Sequence, residues 1–190
     1  MSKNQIKITL PDGTVLDKSS GITGLEIAEG ISPSLAKQSI AIEVNNEIKD
    51  LSFPIIKDST LKILKKDAES ALELIRHDCA HVMAEAVQLL YPGTQVTIGP
   101  AIENGFYYDF SRDKPFTLDD LENIEKKMHE IIDSETAFER EVWERKDAIK
   151  YFINKGELYK AELIKDLPKS EEISIYKQGK FLDLCKGPHS

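Results

Sequence analysis

Three of the four histidines and one of the two cysteines fall into two short segments of equal spacing, His77-Asp-Cys-Ala-His81 and Cys185-Lys-Gly-Pro-His189. Side chains of these types exchange protons near neutral pH, orient water, or bind a borderline-soft metal ion. On an α-helix, positions four apart share a face, so His77 and His81 can direct their imidazoles to one point. Cys185 and His189 cannot share a helix, because Pro188 lacks an amide hydrogen and blocks the preceding turn. They read as a strand end followed by a tight loop. Either segment alone is common on solvated surfaces. Paired, they suggest two elements remote in sequence that meet around a water or a metal ion.

The elements that would position these groups are legible from periodicity. A long helix is expected from Ala68 to Tyr91, ended by Pro92-Gly93. At about 100° per residue, Leu72, Ile75, Cys79, Val82, Met83, Ala86 and Leu90 form one apolar stripe. His77 and His81 lie nearly opposite it, outside the core. Cys79 falls on the stripe and reads as a small buried hydrophobe. Residues 95–102 and 106–110 flank Asn104-Gly105, which predicts a two-residue hairpin with positive φ at both central positions. A second amphipathic helix is expected over 118–133, a strand over 138–143, and shorter helices over 147–154 and 157–166. Strands 173–176 and 180–184 then deliver Cys185. Strands and helices mix without βαβ regularity, which predicts an α+β domain whose antiparallel sheet packs on the long helix.

Residues 1–65 read as a separate unit. A strand from Gln5 to Leu10, a Pro11-Asp12-Gly13 turn and a strand from Thr14 to Asp17 precede a helix from Thr23 to Gly30. A helical turn over 33–37, a strand from Ile40 to Val44 reversing at Asn45-Asn46, and a last strand over 60–64 complete a β-grasp pattern like that of ubiquitin. Lys65-Lys66-Asp67 reads as linker. Domains of 1–65 and 66–190 follow. With 41% hydrophobic and 31% charged residues, the chain has the composition of a globular protein. No stretch approaches the roughly 18 apolar residues of a membrane span, and no signal-peptide hydrophobic region opens the chain, so a cytoplasmic protein is expected. Two cysteines in unlike settings do not make a disulfide framework. A net charge of −8 argues against indiscriminate nucleic-acid binding and leaves room for local, shape-specific RNA contact.

Four segments together carry a family resemblance: the His77–His81 helix, the run from Ile98 to Asp109 (IGPAIENGFYYD), the run from Gly156 to Lys160 (GELYK) and the run from Asp183 to His189 (DLCKGPH). In order and spacing they resemble the editing domain of threonyl-tRNA synthetases, and residues 1–65 resemble the TGS domain that precedes it. The resemblance implies an N-terminal fragment of that family, with the editing domain short of its last few dozen residues and the aminoacylation core absent. It implies proofreading: hydrolysis of the ester in seryl-tRNA(Thr), the product of a ligase that joins threonine to tRNA with ATP. One missing methyl in a binding pocket supplies only about 1 to 3 kcal/mol of discrimination, so a second, hydrolytic sieve is needed.

By the same resemblance, His77, Lys160, Asp183, Cys185 and His189 take catalytic or water-positioning roles. Tyr108 and the backbone at Gly99 contact substrate, and His81 lines the substrate side. Asp183 is expected to share a strand face with Cys185 and to be able to bind the seryl ammonium. By ligand type alone the His and Cys set also suits tetrahedral zinc. The family resemblance implies a metal-free cluster with ordered waters, no cofactor in this fragment, and ATP, magnesium and zinc only in the absent core. The expected partner is the 3′ end of tRNA(Thr) carrying serine. The fragment is expected to be monomeric and its full-length parent a homodimer. Two rivals are a non-catalytic tRNA-binding module and a zinc-dependent hydrolase of the alanyl-tRNA editing type.

Overall fold

In a computed structural model the structure describes residues 4–190, so the first three residues of the expected 1–65 domain lie outside it. Two compact units are present, one of residues 4–75 with 187–190 and one of residues 76–186.

The first unit contains β1 (Gln5–Thr9), β2 (Val15–Ser19), β3 (Ile22–Thr23), α1 (Gly24–Ile31), α2 (Pro33–Gln38), β4 (Ser39–Val44), β5 (Glu47–Asp50), β6 (Pro54–Ile55) and β7 (Ser59–Lys65). A mixed sheet of order β2-β1-β7-β4-β5 has its one parallel pair, β1 with β7, inside and antiparallel pairs around it. This is the β-grasp arrangement. Alternation in β1 turns Ile6 and Ile8 inward, where they meet Ile27 of α1 and Ile42, Val44 and Leu61 of the neighbouring strands. Thr23 and Glu26 close a reciprocal capping box that fixes the start of α1. Asn45 and Asn46 both take positive φ, 50° and 67°, as the two-residue reversal between β4 and β5 requires.

The long helix α3 (Ala71–Leu90) starts three residues later than the periodicity suggests. Residues 65–72 are spent in successive i to i+3 turns, from Ala68 N–H to Lys65 C=O and from Leu72 N–H to Glu69 C=O. Beyond it the second unit contains β8 (Gln95–Val96), β9 (Ala101–Ile102), β10 (Gly105–Phe106), β11 (Phe110–Ser111), α4 (Leu118–Asp133), β12 (Phe138–Trp143), α5 (Arg145–Asn154), α6 (Leu158–Asp166), β13 (Ile173–Gln178) and β14 (Phe181–Leu184). The strands β12-β13-β14 form an antiparallel sheet. One face of it, through Ile173, Ile175, Leu182 and Leu184, packs on Ala148, Phe152, Ala161 and Ile164 of α5 and α6. From its other face Phe181 joins Ala80 and Ala84 of α3, with Val96 and Tyr108. A further cluster binds α3 to α4 through Val82, Ala86, Val87, Ile124 and Ile131. Among the described residues no helix is long and apolar enough to cross a membrane.

Two expectations change. Residues 78–88 of α3 are buried or half-buried at every position, so this is not a helix with one wet face; His81 is 3% exposed, whereas Leu72 on the expected stripe is 47% exposed. The helix is wrapped by two clusters instead of resting on one. The predicted 95–110 hairpin is also broken in two, with β8 paired to β11 and β9 to β10. Ile102 pairs with Gly105, so Glu103 and Asn104 form the turn, and Gly105, at φ 158°, is its positive-φ residue. Between the two pairs the chain segments stay tied by Thr97 N–H to Asp109 C=O at 3.1 Å, Asp109 N–H to Ile98 C=O at 2.9 Å and Tyr107 N–H to Pro100 C=O at 3.4 Å.

Glu85, on the wrapped part of α3, has a buried carboxylate oxygen without a hydrogen-bond partner among the described residues, and burial pushes its carboxyl up to about 7. A folded-state value above the unfolded one gives stability that is full at low pH and is lost as pH rises through about 7. Glu85→Gln should therefore melt a few degrees higher than the parent at pH 8 and close to it at pH 5, as thermal denaturation followed by circular dichroism would register.

Candidate functional site

β14 alternates strictly, with Phe181 and Asp183 buried and Leu182 and Leu184 half-buried on the opposite face. The alternation carries on to Cys185, whose backbone is tied to β13 by Cys185 N–H to Ser174 C=O at 3.2 Å and by the Ser174 hydroxyl to the Cys185 carbonyl. Cys185 thus shares the α3-facing side with Asp183. There its Sγ lies 3.1 Å from His77 Nε2. One turn along α3, the His81 ring meets the His77 ring edge to face at 4.9 Å. Ligand atoms of His77, His81 and Cys185 all lie within 4.8 Å of one another.

Beneath this group sits the Asp183 carboxylate, 1% exposed. Lys160 Nζ, from the first turn of α6, donates to Oδ1 at 2.6 Å, and the Leu184 N–H donates to the same oxygen at 2.8 Å. The Tyr108 hydroxyl donates to Oδ2 at 2.7 Å, and His81 Nδ1 lies 3.6 Å from that oxygen. Lys160 also donates to the Tyr108 hydroxyl at 3.1 Å. Burial alone would push the Asp183 carboxyl up, but the Lys160 ammonium, His81 and the hydrogen bonds from Lys160 and Tyr108 outweigh it and hold it below the usual carboxylate range. Burial and the adjacent Asp183 charge keep the Tyr108 hydroxyl protonated far beyond neutrality. Lys160 has three N–H donors; two are used on Asp183 and Tyr108, which leaves one for a ligand.

His77, His81, Gly99, Tyr108, Lys160, Asp183 and Cys185 all line one open cavity of about 280 Å³. Its remaining wall includes Ile98, Pro100, Leu163, Leu167 and Leu184. Gly99 is there because nothing larger fits: a Cβ at this position would come within 2.1 Å of Tyr108 Cδ2. His189 belongs with the first unit, where it is buried and its N–H donates to Asp50 Oδ1 at 2.7 Å. Asp183 lines the cavity with both oxygens engaged inside the protein, where it anchors Lys160 and Tyr108. Sequence reading also passed over Glu157, within the GELYK run, and the apolar wall from α6.

Residues 6–65 match the TGS domain family. The rest of the comparison is decided by long alignments. Along nearly its whole length, the chain is similar to threonine–tRNA ligases. It is 56% identical over 184 residues to the enzyme of Rhodospirillum rubrum, 62% over 183 residues to that of Acidiphilium cryptum and 58% over 182 residues to that of Pelagibacter ubique. These alignments cover 96–97% of this chain and 28–29% of each relative, so the chain spans less than a third of the length of the curated relatives it matches. The similarity is to their N-terminal regions.

Removing one partner of a buried ion pair leaves an uncompensated charge, at a cost of about 3 to 5 kcal/mol. Asp183→Asn should lower unfolding free energy by that order in urea titrations, and adding Lys160→Met should recover part of the loss. Gly99→Ala, which must displace the Tyr108 ring, should cost about 1 to 3 kcal/mol in the same assay.

Proposed function

We propose that this cavity is a proofreading site that hydrolyses the ester of seryl-tRNA(Thr), within a protein of threonine–tRNA ligase type. The observation that carries the reading is the pairing of a proton-exchanging couple, His77 with Cys185, and the unused N–H of Lys160 on one cavity wall. Ester cleavage needs a base for water and a donor for the oxyanion, and these groups supply both.

A water held by the His77–Cys185 couple attacks the seryl carbonyl carbon. His77 takes the water proton, and the carbonyl electrons move to oxygen, where the remaining Lys160 N–H meets them. Collapse of the tetrahedral intermediate expels the ribose oxygen, which takes the proton held on His77, releasing serine and free tRNA. Asp183 and Tyr108 hold Lys160 in place throughout. His81 and the Gly99 backbone border the aminoacyl group, and His189 is carried as the remaining imidazole of the set on the strength of its sequence spacing. The apolar wall of Ile98, Leu163 and Leu167 offers a surface against which the extra methyl of threonine is crowded. The reaction draws on water and side chains without a cofactor, in the cytoplasm. Threonine ligation, its ATP, magnesium and zinc, and dimerisation belong in this reading to regions of the relatives that the chain does not span; the chain itself acts as a monomer.

One observation bears on a zinc hydrolase instead. Two ligands at about 2.0 and 2.3 Å from a tetrahedral zinc stand about 3.6 Å apart. His77 Nε2 and Cys185 Sγ are at 3.1 Å, a separation that suits a shared proton better than a shared metal.

Single-turnover deacylation tests the proposal. The chain should clear seryl-tRNA(Thr) on the order of 100-fold faster than threonyl-tRNA(Thr), and His77→Ala and Cys185→Ala should each lower the seryl rate by about 100-fold or more. Chelator should leave the rate unchanged. Binding without hydrolysis would favour the tRNA-binding module, and a chelator-sensitive rate with stoichiometric zinc would favour the metal hydrolase.

A further inference from the structure

From Ile153 to Tyr159 every residue is exposed except Glu157, which turns inward, half-buried. It occupies the N-cap of α6, where a polar side chain would ordinarily cap its own helix, yet its side chain makes no such bond. The free N–H of Leu158 is capped instead by Gln95 Oε1, at 2.9 Å. Both Glu157 oxygens are committed elsewhere: Oε2 accepts the Val96 N–H of β8 at 3.1 Å, and Oε1 accepts from Gln88 Nε2 of α3. Gln88 is steadied in turn by the Thr94 carbonyl at 3.3 Å.

One carboxylate therefore joins three elements of the second unit. It fixes the start of α6, and Lys160 is three residues along. It fixes β8, which runs directly into Thr97, Ile98 and Gly99 of the cavity wall. It ties both to α3 at Gln88, seven residues past His81 and eleven past His77. A lysine side chain has four carbons of free rotation, so a buried ammonium reaches one target only if its backbone is held. No side chain but a carboxylate offers two acceptors in this geometry. Burial pushes the Glu157 carboxyl up, while the Val96 and Gln88 donors hold it down.

We propose that Glu157 is a positioning residue for Lys160, acting by clamping the first turn of α6 to β8 and α3, and that through this clamp it sets the rate of the hydrolytic step. The second half of this inference rests on the hydrolytic reading above. The first half does not.

The test uses the 190-residue chain and the variants Glu157→Ala and Glu157→Gln combined with Gln88→Glu. The combined exchange swaps the carboxylate and the amide, so that an acceptor still faces Val96 and a donor–acceptor bond still joins positions 88 and 157, while the bond from position 88 to the Thr94 carbonyl is given up. Two readouts are taken: deacylation of seryl-tRNA(Thr) per folded molecule, and the ammonium cross-peak of Lys160 in a ¹⁵N-lysine NMR spectrum. Glu157→Ala should lower kcat about 10- to 100-fold with KM within about twofold, and should abolish the slow-exchanging Lys160 cross-peak. The exchange pair should restore both. A folded Glu157→Ala protein with unchanged kcat and cross-peak, or a rate that falls only in proportion to the folded fraction, would overturn the proposal. Should the parent chain fail to hydrolyse seryl-tRNA(Thr), the hydrolytic reading fails and the cross-peak alone decides the clamp: its loss in Glu157→Ala and return in the exchange pair support it, and its persistence refutes it.

Discussion

The second unit is organised around a carboxylate that water scarcely reaches. Asp183 is 1% exposed, and an ionised group so placed is tolerated only where its oxygens are met by charge and hydrogen bonds. Meeting them requires groups from four places at once: Lys160 from α6, Tyr108 from the segment between β10 and β11, His81 from α3 and the Leu184 amide from β14 itself. Each partner arrives on an element that has its own apolar reason to be there, since α6 packs through Ala161 and Ile164, and α3 packs through Ala80 and Ala84. Hydrophobic burial brings the elements together, and the carboxylate then fixes their side chains to fractions of an ångström. A network of this sort contributes more to uniqueness than to net stability.

Chemistry sits one layer above. Above Asp183 and its partners, His77, His81, Lys160 and Cys185 line the cavity. The buried layer beneath, with Lys160 at 3%, His81 at 3% and Asp183 at 1% exposure, holds the cavity-lining groups in place. Gly99 belongs to the same design: its missing side chain is the space that the Tyr108 ring fills, so the backbone of the cavity wall rests directly on the residue that supports Lys160. His77 and His81 stand on a helix and Asp183 on a strand, so the polar groups of the cavity are held by regular elements.

Much of this was legible in the sequence because local rules agreed with the fold. The amphipathic pattern located α4, whose bounds match the expected 118–133, the strand expected over 138–143 is β12, and Asn45-Asn46 announced its turn through its chemistry. His77 and His81 were assigned one face by spacing alone, and they lie on one. What failed did so for tertiary reasons. A single-stripe reading placed both histidines away from the core, but α3 is wrapped on more than one side, and no periodicity encodes a second packing partner. Asn104-Gly105 signalled a continuous hairpin, whereas the regular pairing splits into β8 with β11 and β9 with β10, joined by irregular bonds of Thr97, Ile98 and Pro100 to residues 107–109. The roles of Lys160 and Asp183 were carried by family resemblance, since a lysine at the start of a short helix gives no hint that it will be 3% exposed. Glu157 went unread because its partners, Gln88 and Val96, are 69 and 61 residues away.

Since the whole assembly turns on Asp183 remaining charged in a dry setting, the most direct measurement is the titration of its side-chain carbon by ¹³C NMR in the 190-residue chain. Pairing with Lys160, His81 and Tyr108 predicts a midpoint below that of an ordinary aspartate. A midpoint raised above it, as burial without effective partners would produce, would contradict the account.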